Sequence, residues 1–147
     1  MAYASFRDFC VSAQLAGPEQ FDQWRSDWRT ARDEVGLADS LPEFLCKRSG
    51  KTEDYFLKCV AAGFAWDRIE LVDVKPSGEA RRKISSKIAS QHRVVPVTVE
   101  EGVLVVAVSN PFNTDLLNAV RFAAQGPVRF VLASSDEIEK SYEKYYG

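Results

Sequence analysis

The chain has 147 residues, 46% of them hydrophobic, and its 19 Lys+Arg against 21 Asp+Glu leave a net charge of −2. That length and composition fit one globular domain or two small ones and exclude fibrous and disordered classes. The lack of a basic excess removes the drive for nucleic-acid binding.

The longest apolar run, Val103 to Val108, falls far short of the roughly 18 residues that span a bilayer. Residues 1–20 hold no apolar core followed by a small-residue cleavage site, so no secretory leader is expected and the expected compartment is the cytoplasm. Cys10, Cys46 and Cys59 are odd in number and never reach C-x-x-C spacing. They are expected as reduced, mostly buried thiols rather than disulfides or metal ligands.

The first 65 residues read as helical. Phe21, Trp24, Trp28, Ala31 and Val35 recur at spacings of 3, 4, 3 and 4, which predicts one helical stripe from Pro18 to Gly36. Ser40-Leu41-Pro42-Glu43 fits a capping box for a short helix with Phe44 and Leu45 inside, ended by Gly50. Thr52 caps a further helix with Glu53 and Asp54 in its first turn and Phe56, Cys59, Val60 and Gly63 as its inner stripe. At an offset of 35 residues Phe9 falls on Phe44, Cys10 on Leu45, Val11 on Cys46 and Phe21 on Phe56. The match suggests a tandem pair of short-helix, turn, longer-helix units.

After Trp66 the period changes. Ile69 to Val72 is a candidate strand, and Pro76-Ser77-Gly78 turns the chain into a basic helical stretch with Ile84, Ile88 and Ala89 as its apolar stripe. Val94–Val99 and Val103–Val108 are β-branched runs joined by Glu100-Glu101-Gly102, read as a three-residue hairpin covered on both faces. Pro96 favours an edge position for the first strand. A helix from Thr114 to Ala124, a strand from Val128 to Leu132 and a last helix capped by Ser134 and Glu137 and lined by Ile138, Tyr142 and Tyr145 complete the chain. The fold class predicted is α/β (α+β): a helical subdomain, 1–65, packed on a small α/β sandwich with a three-stranded core, 66–147.

Catalytic patterns are lacking. The single histidine, His92, stands beside Arg93 at a predicted helix end, and no G-x-S-x-G, H-E-x-x-H or G-x-G occurs. Gly50-Lys51-Thr52 matches the end of a phosphate-binding P-loop, but Leu45 stands where the loop needs its first glycine. No catalytic residue, metal ligand or cofactor is assigned.

The one concentrated charge feature is Lys75 to Arg93, where Lys75, Arg81, Arg82, Lys83, Lys87 and Arg93 face only Glu79. Arg81, Arg82, Lys83 and Lys87 are the candidate partner-binding residues, suited to steering toward an acidic partner or anionic lipid heads. Lys87, one turn past Lys83, is expected to share its face. The competing surface flanks the tryptophan stripe: Arg25, Asp27, Arg29, Arg32 and Asp33.

The second half resembles the N-terminal domain of the type II secretion ATPase (the E protein) and its type IV pilus assembly relatives. The resemblance rests on Ile88 to Val97, on Gly102 to Pro111, and on Ala119-Val120-Arg121-Phe122. Val131-Leu132-Ala133-Ser134, Ile138 and the ending Tyr145-Tyr146-Gly147 extend it. It implies an adaptor that docks the ATPase on the cytoplasmic domain of an inner-membrane platform protein, with its own C-terminal ATPase domain as a second partner. The chain is then cytoplasmic, peripheral at the inner membrane, and a fragment of a longer enzyme that is itself an ATPase. The alternative the family offers is a cyclic di-GMP sensor, built on paired helical motifs beginning Arg-Leu-Gly. Ala4-Ser5-Phe6 and Asp39-Ser40-Leu41 occupy those places here, so neither arginine is present and cyclic di-GMP is not expected to bind.

Overall fold

The computed structural model of the chain describes residues 5–72 and 74–146. The backbone divides into two compact units, Met1–Ala65 and Trp66–Gly147.

The first unit holds α1 (Phe6–Ser12), α2 (Pro18–Thr30), α3 (Leu41–Ser49) and α4 (Glu53–Phe64). Local chemistry sets each start. Ser5 Oγ accepts from Asp8 N–H at 3.1 Å, Ser40 and Glu43 form a reciprocal capping box, and Thr52 Oγ1 accepts from Tyr55 N–H at 3.1 Å. Leu41 and Glu53 begin their helices 35 residues after Phe6 and Pro18 begin theirs, so the internal repeat is present in the backbone. Its equivalent positions Phe9 and Phe44, Cys10 and Leu45, and Phe21 and Phe56 are all buried. Phe9 is the centre of this core: its ring meets that of Phe56 edge-on at 6.1 Å and that of Phe64 at 5.3 Å.

The long helix expected to Gly36 does not stay α-helical. From Ala31 to Val35 the chain winds as a π-helical turn, which carries more residues per turn than an α-helix, so the 3-4 spacing no longer keeps one face. Val35 is therefore 82% exposed instead of closing the stripe. Gly36, at φ 76°, ends the helix in the left-handed conformation that glycine adopts without strain. In α4 the inner face includes Leu57 as well as Phe56 and Val60, while Cys59 and Gly63 are half-buried.

The second unit holds α5 (Gly78–Lys83), α6 (Ser86–His92), β1 (Val95–Glu100), β2 (Val103–Val108), α7 (Thr114–Ala124), β3 (Val128–Leu132) and α8 (Ser135–Tyr146). The sheet order is β1-β2-β3, antiparallel between β1 and β2 and parallel between β2 and β3, with α7 as the crossover. Pro96 lies on an edge strand, as its missing donor requires. Alternation along β2 feeds two cores. Leu104, Val106 and Val108 pack with Ile84, Ala89 and Val120, and Val105 and Ala107 pack with Leu71, Val131 and Ile138.

Three local expectations need correction. The hairpin turns on two residues, Glu101 and Gly102, both at positive φ (51° and 81°), because Glu100 remains in the ladder opposite Val103. Ile69–Val72 is not a strand: only Arg68 bridges β3, at Leu132, before the chain turns away and buries Leu71. The basic stretch is not one helix. Ile84 is extended (φ −122°, ψ 118°) and fully buried, and Ser85 caps a new helix by accepting from Ile88 N–H at 3.2 Å.

Candidate docking site

The elements carrying the basic stretch are anchored to the sheet by a bulge. The β1–β2 register steps from Pro96↔Val106 to Thr98↔Val105, which leaves Val97 outside the ladder. Val97 C=O accepts from Ser77 N–H at 3.0 Å, and Ser77 Oγ in turn accepts from Ala80 N–H at 3.1 Å to start α5. Ala80 and Ile84 then bury the inner side of this segment.

The four candidate residues separate into two groups. Arg81 is half-buried; its guanidinium donates from Nη1 to Tyr145 C=O at 3.3 Å, at the end of α8. Its Nε is buried with no hydrogen-bond partner among the described residues. Arg82, Lys83 and Lys87 are exposed and make no ion pair among the described residues. The shared helical face expected for Lys83 and Lys87 does not exist, because Ser85 restarts the helix between them.

The competing surface of the first unit spends most of its charge internally, Arg29 alone of its five residues being exposed with no ion pair among the described residues. Asp27 accepts from Gln23 Nε2 at 2.9 Å and pairs with Arg48 at 3.3 Å. Arg32 pairs with Asp33 at 3.0 Å and covers the Trp28 ring at 4.6 Å, and Arg25 stacks on Phe21 at 5.2 Å. Trp28 is a structural residue: its Nε1–H donates to Asp39 C=O at 2.8 Å. Trp24 instead borders a cleft of about 440 Å³ with Gln14, Gln20 and Arg48.

The P-loop lookalike is accounted for by helix ends. Gly50, at φ 74°, closes α3, Lys51 Nζ sits 4.8 Å from the Tyr55 ring centroid, and Thr52 caps α4. A helix precedes the tripeptide where a phosphate loop needs a buried strand. His92 ends α6. Among the described residues no group of three His, Cys, Asp or Glu side chains is placed to hold a metal, and no helix is long and apolar enough to cross a membrane.

One opening near the basic stretch escaped sequence reasoning. A cleft of about 540 Å³ lies between α6 and α8, with Ser90 and Arg93 on one side and Glu139, Tyr142 and Glu143 on the other. The outward spacing of 139, 142 and 143 on α8 is the signal that marks its wall, but nothing in the sequence says that α6 faces it.

Residues 64–147 match the family model described as the MshEN domain. Over 87 residues, 59% of the chain, the sequence is 25% identical to the type IV pilus assembly ATPase PilB of Acinetobacter baylyi, and it spans 15% of that protein's length. A structure of MshE with cyclic di-GMP superposes with a TM-score of 0.76 at 18% identity, covering 98% of this chain and 100% of the other. The N-terminal domain of XpsE superposes with a TM-score of 0.67 at 22% identity, covering 100% of both chains. At these identities the two structures establish a shared fold.

Proposed function

The chain belongs to the MshEN domain family, and from that premise we propose that it is a non-catalytic docking module of a secretion or pilus assembly ATPase. It joins the ATPase to the cytoplasmic domain of an inner-membrane platform protein, and so works in the cytoplasm at the membrane surface. The observation that carries the reading is a contrast between surfaces. Among the described residues Arg82, Lys83 and Lys87 stand exposed without an ion pair in the second unit, while on the competing surface Asp27, Arg32 and Asp33 are spent on one another and on Arg48 and only Arg29 is exposed without one. Unspent cations on a short, sheet-anchored segment speed encounter with an acidic partner and fix its orientation.

The experiment is a titration of the chain with a platform protein's cytoplasmic fragment, with cyclic di-GMP, and with ATP and magnesium. Micromolar binding of the fragment, with no turnover of ATP, supports the docking module. Replacing Arg82, Lys83 and Lys87 with Ser should slow association and flatten its salt dependence. Unchanged affinity and salt slope in that variant would move the docking surface to the first unit.

The second reading, a cyclic di-GMP sensor, is favoured by the likeness to MshE with that dinucleotide. The residues at the motif positions argue against it. Asp39 is held by Lys47 at 2.7 Å, Ser40 caps α3, and Ala4 lies outside the described residues. Arg48, beside the cleft of the first unit, is committed to Asp27 and to the Phe44 ring, 4.6 Å away. Micromolar affinity for the dinucleotide would reverse the order of the two readings.

A further inference from the structure

The cleft of about 540 Å³ between α6 and α8 has walls of opposite charge around a fixed aromatic ring. Tyr142 is half-buried, its ring stacks on that of Tyr146 at 5.3 Å with 12° between their planes, and its hydroxyl donates to Ser86 C=O of α6 at 3.5 Å. Glu139 and Glu143 flank it on one face of α8, three residues before and one after. Both are exposed and make no ion pair among the described residues, whereas the third carboxylate of the wall, Asp136, is held by Lys140 at 3.0 Å. Arg93 stands on the α6 wall, where the helix ends at φ 53°, and it too is exposed with no ion pair among the described residues. Neither residue of this unit outside the described ones, Asp73 or Gly147, carries a cationic side chain.

The rest of the molecule shows what an aromatic ring beside a carboxylate takes. Arg32 lies over the Trp28 ring at 4.6 Å while pairing with Asp33 at 3.0 Å, and Arg48 lies over the Phe44 ring at 4.6 Å while pairing with Asp27 at 3.3 Å. In both, a planar guanidinium sets its face on the ring and its N–H edge on the carboxylate, which the compact ammonium of lysine cannot do at once. Tyr142 between Glu139 and Glu143 offers an incoming chain the same two groups. Arg93 opposes a bare cation, so it favours one that brings a carboxylate with it.

We propose that this cleft receives a segment of a partner polypeptide that presents an arginine close to a carboxylate. The guanidinium lies on Tyr142 between Glu139 and Glu143, and the carboxylate meets Arg93. The proposal rests on the docking reading above and adds a contact of opposite sign to it. Arg82, Lys83 and Lys87 attract an acidic partner without setting its register, and one arginine seated in the cleft sets it.

The probes are three capped tripeptides titrated into the isotope-labelled chain while amide resonances are followed. They are acetyl-Arg-Ala-Glu-amide, the same peptide with neutral citrulline for arginine, and acetyl-Arg-Ala-Gln-amide. The first should give saturable shifts at Ser90, Arg93, Glu139, Tyr142 and Glu143. The citrulline peptide should bind about fivefold more weakly, the scale of an exposed ion pair with a cation–π contact, and the glutamine peptide about twofold to threefold more weakly. Glu139→Gln with Glu143→Gln, at exposed positions, should abolish the preference for arginine over citrulline while leaving resonance dispersion intact. Arg93→Asn, a residue that tolerates left-handed backbone, should abolish the preference for glutamate over glutamine. Equal binding of the arginine and citrulline peptides, or an unchanged preference in the double variant, would overturn the site. Tighter binding of the arginine peptides to Arg93→Asn would also overturn it, assigning the two glutamates to Arg93 itself. Absent shifts with a platform fragment still binding would remove the cleft and leave the docking reading. Saturable, arginine-dependent shifts with a fragment that fails to bind would uphold the cleft and remove that reading.

Discussion

Leu71 donates its backbone N–H to Glu137 Oε2 at 2.6 Å, joining positions 66 residues apart. Glu137 also accepts from Ser134 Oγ at 3.2 Å, and Ser134 Oγ caps the first turn of α8 by accepting from Glu137 N–H at 3.2 Å. One carboxylate thus fixes both the start of α8 and the segment that leaves the sheet edge. Hydrogen bonds to a charged acceptor contribute about 1.5–3 kcal/mol. Glu137→Ala should lower the urea midpoint by a comparable free energy, and Glu137→Gln, which keeps one acceptor, should recover part of it. A Glu137→Ala midpoint equal to that of the native chain would show that the contact adds nothing.

The first unit depends on Phe9 in the same concentrated way. It is 1% exposed and shares its ring faces and edges with Phe56 and Phe64. Removing a fully buried phenylalanine costs about 3–5 kcal/mol in transfer and cavity terms. Phe9→Ala should therefore strip hydrogen-exchange protection from α1, α2 and α4. Retained protection in those helices would mean that the aromatic cluster refills the space.

Most of this fold was legible because local signals and burial agree. Ser40, Thr52, Ser134 and the Gly50 stop placed helix ends within a residue or two, and the Val103–Val108 run gave the central strand. The misreadings share one cause. Ile69–Val72 has strand composition, yet a carboxylate 66 positions away takes the Leu71 N–H. Ile84 fits a helical stripe, yet the core draws it into extended backbone and Ser85 restarts the helix. The π-helical turn at Ala31 likewise has no signal in hydrophobic spacing. Of the candidate site, the concentration of charge was visible but its division was not. Nothing in Arg81-Arg82-Lys83 announces that Tyr145, 64 residues on, offers a carbonyl to the first of them.

Alkaline stability follows from two buried groups. Burial pushes the Cys10 thiol up to about 12 from an ordinary 9.0, with Cys46 nearby adding to the shift. Burial likewise pushes the Tyr146 hydroxyl up to about 12 from an ordinary 10.0, against the opposing pull of Arg81. Both groups keep their proton longer folded than unfolded, so their contribution is whole below the unfolded value and is lost as pH rises through the folded one. Stability should hold from neutral pH to about 9 with respect to these groups and then fall between about 9 and 12. Cys10→Ala should flatten the first part of that fall, read from urea midpoints at successive pH values. A midpoint that does not change across this window would contradict the burial of both groups. The same burial predicts that Cys10 and Cys46 resist a thiol reagent at pH 8 until the chain unfolds.

The last prediction separates stability from steering within the basic stretch. Arg81 donates to Tyr145 C=O at the C-terminal turn of α8, where the unsatisfied carbonyls carry the negative end of the helix dipole. It is the half-buried member of the four, and its aliphatic stem lies in packed surroundings, since even Nε is shielded from water. Arg82, Lys83 and Lys87 are exposed and have no ion pair among the described residues. Arg81→Ser should therefore lower stability by about 1–3 kcal/mol, as expected for losing a charged hydrogen bond together with its packing. Arg82→Ser, Lys83→Ser and Lys87→Ser should each stay within about 0.5 kcal/mol of the native chain. Association kinetics should show the reverse order: the three exposed changes slow encounter with an acidic partner at low salt, while Arg81→Ser scarcely alters the salt slope. Loss of stability spread evenly over all four would mean that α5 and α6 depend on their charges as a set, and the division drawn from the Arg81–Tyr145 contact would fail.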